Sequence, residues 1–466
     1  MFGLLIARLA GPLALVSFVT SARAESFAPE TPEAAPRAMT LEQASDHARA
    51  NHARLAAARL RLAGARRDAD VPGAQWLPYV SGFGQMVGAT TNNSTATQLA
   101  NPNVDIPRVG ATEIASTPRF QPYPSTMIAL GARQQLYDFG RVAAETAAAS
   151  LAIAVETSRV AGVELDVGLF VEQAFYAVLA AEAVERAARG AYERAVAHHD
   201  LARANERAGL RPPIESTRAE ADVARYEAGA MRARGAVHVA RAVFAAAAAV
   251  DDLELGAAGD PPETSTLPSL VELLRRAEIS PLVREARARV LAQQGETRRI
   301  EAQTRPRLYA TGSINGRAGG SPPNVGPLPP GDGWVPIVPN YDLGVVLSWP
   351  IVDPSWSRRA DASREREHAA QADSALAMRD VRAAITVAWH EASITLLALP
   401  ALERGAEAAA ANYEHAEKRF RVGLGTSTEV ADAQALRTEA DIQLAIGRFQ
   451  KARARATLAR AAAEVR

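Results

Sequence analysis

Two carboxylates late in the chain, Glu429 and Asp432, stand three residues apart. On a helix that spacing puts both on one face. They follow Gly423-Leu424 and three hydroxyl residues, Thr426, Ser427 and Thr428, which suit the start of a helix. Two readings stand side by side. The pair is a charged site that attracts cations, or Glu429 simply favours the positive end of a helix and Asp432 is solvated. Glu215 follows a similar stretch, Gly209-Leu210, and reads as an N-terminal helix charge.

Other chemistry finds little support. His198-His199 suggests a metal, but adjacent helical residues point about 100° apart and no cysteine completes a site. Both histidines read as surface residues. His47 and His52, five apart, are no better placed. The chain has no cysteines, which excludes disulfides, thiol catalysis and a lipid anchor on an N-terminal cysteine. No phosphate loop, nucleophile elbow or His-Glu-x-x-His motif occurs. No enzyme activity, cofactor or metal is expected. With 52 basic and 52 acidic residues, nothing points to a nucleic-acid partner.

The elements that carry these residues are written twice. Arg207-Ala208-Gly209-Leu210 with Glu215 matches Arg421-Val422-Gly423-Leu424 with Glu429 at an offset of 214. The same offset pairs Phe175 with Trp389. Leu136-Tyr137-Asp138 pairs with Ile351-Val352-Asp353 at 215, and Pro78 with Pro306 at 228. The first copy therefore carries 13 extra residues, within an Asn-, Thr- and Pro-rich loop over 90–122. Each copy opens with a helix of roughly 35 residues, 41–74 or 270–304, the second interrupted near Ser280-Pro281. Two alternating stretches follow, then a very long helix, a tip and another helix.

The alternating stretches read as strands. Tyr341, Leu343, Val345, Leu347, Trp349 and Ile351 share one face, with Asp342, Gly344 and Ser348 opposite. Ile128, Leu130, Ala132 and Leu136 likewise face away from Arg133 and Gln135. Residues 308–315 alternate in the same way, and 77–87 do so more weakly. Such lengths fit membrane strands between lipid and a wet lumen, and equally a sheet with one solvated face. The long helices favour the first reading. Residues 140–207 contain no proline and could reach on the order of 100 Å. Their partner, 355–421, contains Pro400 and Gly405, where a kink or break is expected. Four strands cannot close a barrel, whereas three copies supply twelve. The expected fold is a mixed α and β membrane protein: a trimeric 12-stranded β-barrel continuous with a long α-helical barrel.

Residues 1–24 read as a signal peptide. Arg8 precedes an apolar stretch, and Ala22-Arg23-Ala24 is an Ala-x-Ala cleavage site. Residues 25–39, rich in Pro, Glu and Ala, read as a flexible lead-in. The first repeat covers 40–250, an equatorial linker 251–269, and the second repeat 270–466. No segment after the leader is expected to be apolar enough to span a bilayer as a helix.

The order of these motifs resembles the TolC family of outer-membrane efflux proteins. The residues that carry the likeness are Leu136-Tyr137-Asp138-Phe139-Gly140-Arg141, then Pro350-Ile351-Val352-Asp353 with Ser357-Arg358, and the two glycine-leucine tips. The resemblance implies a homotrimer in the outer membrane of a Gram-negative bacterium, in contact with its lipid. It also implies a large periplasmic part, a periplasmic adaptor (membrane fusion protein) and an inner-membrane transporter, serving efflux or type I secretion. It implies that Glu429 and Asp432 ring a pore constriction, and that Gly209, Leu210, Gly423 and Leu424 form the adaptor-docking tips. A local cap contact is the other role open to the leucines. Two departures stand out. Arg211-Pro212-Pro213 stiffens the first tip and bears on docking, and a C-terminal belt extension is expected to be missing. A periplasmic coiled-coil adaptor is the alternative, though it leaves the paired strands unexplained.

Overall fold

A computed structural model describes residues 38–89, 123–260, 266–319 and 339–464. The expected signal peptide and most of the lead-in lie outside these residues, as does the loop over 90–122. The described chain runs β1 (Ala38–Met39), α1 (Leu41–Asn51), α2 (Ala53–Ala74), β2 (Tyr79–Ala89), β3 (Tyr123–Tyr137), α3 (Arg141–Arg207) and α4 (Pro213–Ala248). After β4 (Gly256–Ala257) come α5 (Leu270–Arg276), a 3-10 turn, α6 (Pro281–Ala302), β5 (Arg307–Gly319), β6 (Asn340–Ser348), α7 (Pro354–Arg421) and α8 (Ser427–Ala461).

Four strands form one antiparallel sheet in the order β2-β3-β5-β6. Its register aligns the faces that alternation assigned. Val80, Ala132, Gly312 and Leu343 sit in one cross-strand row, and Gly82, Leu130, Ile314 and Tyr341 in the next. This face is open and apolar: Leu343 is 88% exposed, and Ile128, Leu130, Val345 and Leu347 are exposed beside it. The other face is polar. There the Arg133 guanidinium lies 5.0 Å from the Tyr309 ring centroid, and Ser313 hydrogen-bonds Asp342 at 2.5 Å. Among the described residues β2 and β6 each pair with one strand, so both outer edges keep unpaired backbone groups.

A strand-to-helix turn joins the sheet to α3. Asp138 is 3% exposed, and its carboxylate accepts from the backbone N–H of Gly140 at 3.0 Å and of Val142 at 2.5 Å. Gly140 is needed for its conformation: φ is +89°, in the left-handed region that favours glycine. Behind the turn, Glu145 accepts from Arg141, Gln75 and Gln303 at 2.8, 2.5 and 2.8 Å. Burial pushes the Glu145 carboxyl up, but these donors outweigh it and hold it below the ordinary carboxylate range.

The helices pack in layers, α3 against α4, α6, α2 and α8, and α7 against α8 and α6. Alanine makes this possible. Ala188, Ala191, Ala195 and Ala202 on α3 and Ala388, Ala392, Ala406 and Ala409 on α7 are buried. A methyl side chain lets helix axes approach closely and loses no rotamer freedom on burial. Gly447 extends the logic, since a Cβ there would meet Leu402 Cδ1 at 2.5 Å. Larger residues appear where the layers widen. Phe175 packs edge-on against Tyr176 and Phe244 at 5.5 and 5.7 Å.

Three expectations are corrected. The first helix is not continuous: it breaks at His52, whose Nδ1 accepts from Arg54 N at 3.2 Å and caps α2. Conversely, α7 runs unbroken through Pro400. That proline is exposed, so water can satisfy the carbonyl its missing N–H leaves behind. Finally, α3 and α7 each contain a stretch apolar enough to cross a membrane by length and composition, with mean hydropathy 1.5 and 1.3.

Candidate functional site

Both tips are the same turn. α3 ends with Gly209 N bonded to Glu206 O and Leu210 N to Asn205 O, each at 2.9 Å. α7 ends with Gly423 N bonded to Phe420 O at 3.1 Å and Leu424 N to Arg419 O at 2.9 Å. The glycines take φ of +71° and +81°. This is the bonding in which a left-handed glycine closes a helix C-terminus. The leucines that follow do not fold back onto their helices: Leu210 is 72% and Leu424 75% exposed. A local cap contact therefore does not account for them.

Beyond the turn the copies diverge. At the first tip Pro212 precedes α4 and Pro213 takes its first position, where a missing N–H costs nothing. Arg211 reaches across the molecule. It donates to Gly425 O at 2.9 Å, lies 5.3 Å from the Phe420 ring centroid and pairs with Glu215 at 3.5 Å. Arg218 donates to Thr428 Oγ1 at 2.6 Å. The two tips are thus bound side by side. Glu215 is locked, its side chain only 16% exposed.

At the second tip Gly425 takes the place of Arg211. A Cβ there would meet Phe420 N at 3.0 Å and Arg419 C at 3.2 Å, so a larger residue would have to push the backbone of α7 aside by a few tenths of an ångström. Thr426 caps α8, its hydroxyl accepting from Glu429 N at 3.3 Å. Glu429 and Asp432 both lie exposed on α8, followed on the same face by Leu436, Glu439 and Gln443. Glu429 approaches Arg419 at 3.7 Å, a pair too solvated to hold it. Asp432 has no hydrogen bond or ion pair among the described residues.

His198 is not where the sequence placed it. His198 is buried, hydrogen-bonds Ser427 Oγ at 3.1 Å and packs edge-on against Phe420. The surface reading fails because α8, 229 residues away, covers it. His47 meets the carbonyl of Ala248 at 2.8 Å, and His52 caps a helix. No cluster of metal ligands occurs among the described residues. The sequence marks Arg211 only as part of a stiff tip, not its bond to Gly425, and it does not mark Gly425 at all. The doubled glycine of Gly423-Leu424-Gly425 was the available signal for the second.

The outer membrane efflux protein family model matches residues 44–250 and 275–464, nearly all of both repeats. The chain belongs to that family. No curated protein sequence matches it. Solved structures of the same fold include the outer-membrane channel OprN, at 20% identity and TM-score 0.70, covering 91% of this chain and 90% of that one. VceC of Vibrio cholerae aligns at 17% identity and TM-score 0.68, over 91% of this chain and 96% of its own. The CmeC channel of Campylobacter jejuni aligns at 15% identity and TM-score 0.70, over 94% and 90%. Membership makes this an outer-membrane efflux channel protein and decides against the adaptor alternative. An apolar face on one side and a polar face with Arg133 and Asp342 on the other is the alternation expected of strands in a membrane barrel.

Proposed function

We propose that three copies close a twelve-stranded barrel in the outer membrane and continue it as a helical tunnel through the periplasm. The sheet is the observation that carries this reading. It has four strands, an apolar outer face and two unpaired edges, and an unpaired edge within lipid costs several kcal/mol per backbone group. Pairing β6 of one copy with β2 of the next removes every edge.

In this arrangement the chain makes and breaks no bonds. It conducts cargo delivered by a periplasmic adaptor and an inner-membrane transporter, in efflux or in type I secretion. The exposed tips at Gly209-Leu210 and Gly423-Leu424 meet the adaptor. Glu429 and Asp432, three copies of each, crowd one axis at the periplasmic end and favour cations. Residues 40–250 and 270–466 act as two repeats joined by an equatorial linker over 251–269.

Crosslinking in intact envelopes tests the assembly: a threefold species in the outer-membrane fraction is expected. A monomer in the soluble periplasmic extract would overturn the reading. For the constriction, multivalent cations added on the periplasmic side of planar bilayers should block current. Glu429→Gln with Asp432→Asn should weaken that block while leaving the trimer folded.

A further inference from the structure

His198 holds the second tip in place, and nothing in the duct reading uses it. It lies on α3, 8% exposed. Its Nε2 is 3.1 Å from the hydroxyl of Ser427, the buried first residue of α8. Its ring centroid is 4.8 Å from that of Phe420, near the end of α7. One imidazole thus joins three helices just above both tips. Glu429 and Asp432 follow Ser427 on the same helix, two and five residues on. Moving the start of α8 moves them.

We propose that His198 is a proton-sensitive latch: the neutral ring pins the start of α8 to α3, and its protonation frees the second tip and opens the periplasmic end. This rests on the trimeric duct reading.

The surroundings set the sign. Burial pushes the His198 pKa down; Asp222 on α4 and Glu417 on α7 push it partly back up, and His199 on its own helix lowers it again. From α7 the ring also meets Phe420, and α8 contributes the Ser427 hydroxyl. Neither carboxylate hydrogen-bonds the ring. The net direction is below the ordinary histidine value. A proton therefore binds the freed, solvated ring better than the latched one. The latch is intact above about pH 6.5 and weakens as pH falls through and below that value. Each pKa unit regained on opening shifts the open-to-closed ratio roughly tenfold per histidine.

Purified trimers in planar bilayers test this. Open probability should rise several-fold between about pH 7.5 and pH 5. His198→Gln can still hydrogen-bond Ser427 and His198→Phe keeps the ring packing; neither titrates, so both should show a flat profile. Glu429→Gln with Asp432→Asn should retain the rise. A flat wild type, a wild-type rise in both His198 variants, or its loss in the acidic-pair variant would each overturn the latch. Trimers that conduct at no pH would overturn the duct reading, and the latch with it. A second measurement leaves His198 in place. The chain has no cysteine, so Val430→Cys, buried beneath the tip, can be labelled alone. Its labelling rate relative to exposed Leu424→Cys should climb below about pH 6.5; an unchanged ratio would overturn the proposal.

Discussion

The two repeats use one plan, and the first buries what the second leaves open. At the strand-to-helix turns, Asp138 is enclosed and bonds two backbone amides, whereas its counterpart Asp353 caps α7 through one backbone amide, Ser355 N. At the tips, Glu215 is tied down by Arg211, whereas Glu429 and Asp432 stand clear. Even the aligned positions Arg211 and Gly425 are complementary, because the side chain of one bonds the carbonyl of the other. Duplication supplied two equal turns. The first copy now acts as a brace, and the second copy keeps its charges exposed.

The largest effect should come from testing that inequality at the turns. Asp138→Ala strands the buried N–H groups of Gly140 and Val142. It should destabilise the protein by about 2–4 kcal/mol, seen as a lower temperature for loss of the trimer band on gels. Asp353→Ala should cost less, because water reaches the freed amide. Equal losses in the two variants would mean that the copies are braced alike. Acid should act at the same place. Glu145 is held below the ordinary carboxylate range, so its contribution is full above about pH 4.5 and lost as pH falls through its lowered value.

Much of this architecture is legible in sequence because it is local. Alternation from Tyr341 to Leu347 marks a strand and its apolar face, and Gly209 and Gly423 mark their turns through backbone strain alone. The residues that bind the copies together are not local. Nothing near His198 or Arg211 announces Ser427 or Gly425, more than 200 residues away. Proline misled in the opposite direction. Pro400 and Gly405 signalled a kink or break, and the break does not occur, because packing along 68 residues of α7 outweighs one lost hydrogen bond at an exposed position. His52 breaks the first helix with neither proline nor glycine to signal it.

An intermediate effect is expected where the tips touch. Arg211→Ala removes a charge-assisted hydrogen bond to Gly425 O, the stacking on Phe420 and the partner of Glu215. The loss should be about 1–2 kcal/mol, confined to the tips and measurable as faster hydrogen exchange at 209–216 and 422–430. If exchange rises over the first tip alone, the copies are not coupled there.

The smallest effect decides what the comparison means. Glu215 and Glu429 occupy equivalent positions one turn past equivalent glycines. If position along the chain made a constriction, neutralising either would change ion selectivity. The surroundings argue otherwise. The Glu215 charge is compensated by Arg211 and shielded within α4. The Glu429 charge has only a solvated neighbour in Arg419, 3.7 Å away, and shares an open face with Asp432. In a trimer, three uncompensated pairs near one axis sum their fields, whereas three internal ion pairs cancel theirs. Glu215→Gln should therefore leave cation selectivity and multivalent block unchanged in planar bilayers, while Glu429→Gln reduces both. A matching reduction in Glu215→Gln would place the first tip in the lumen as well, and the brace would then be part of the gate.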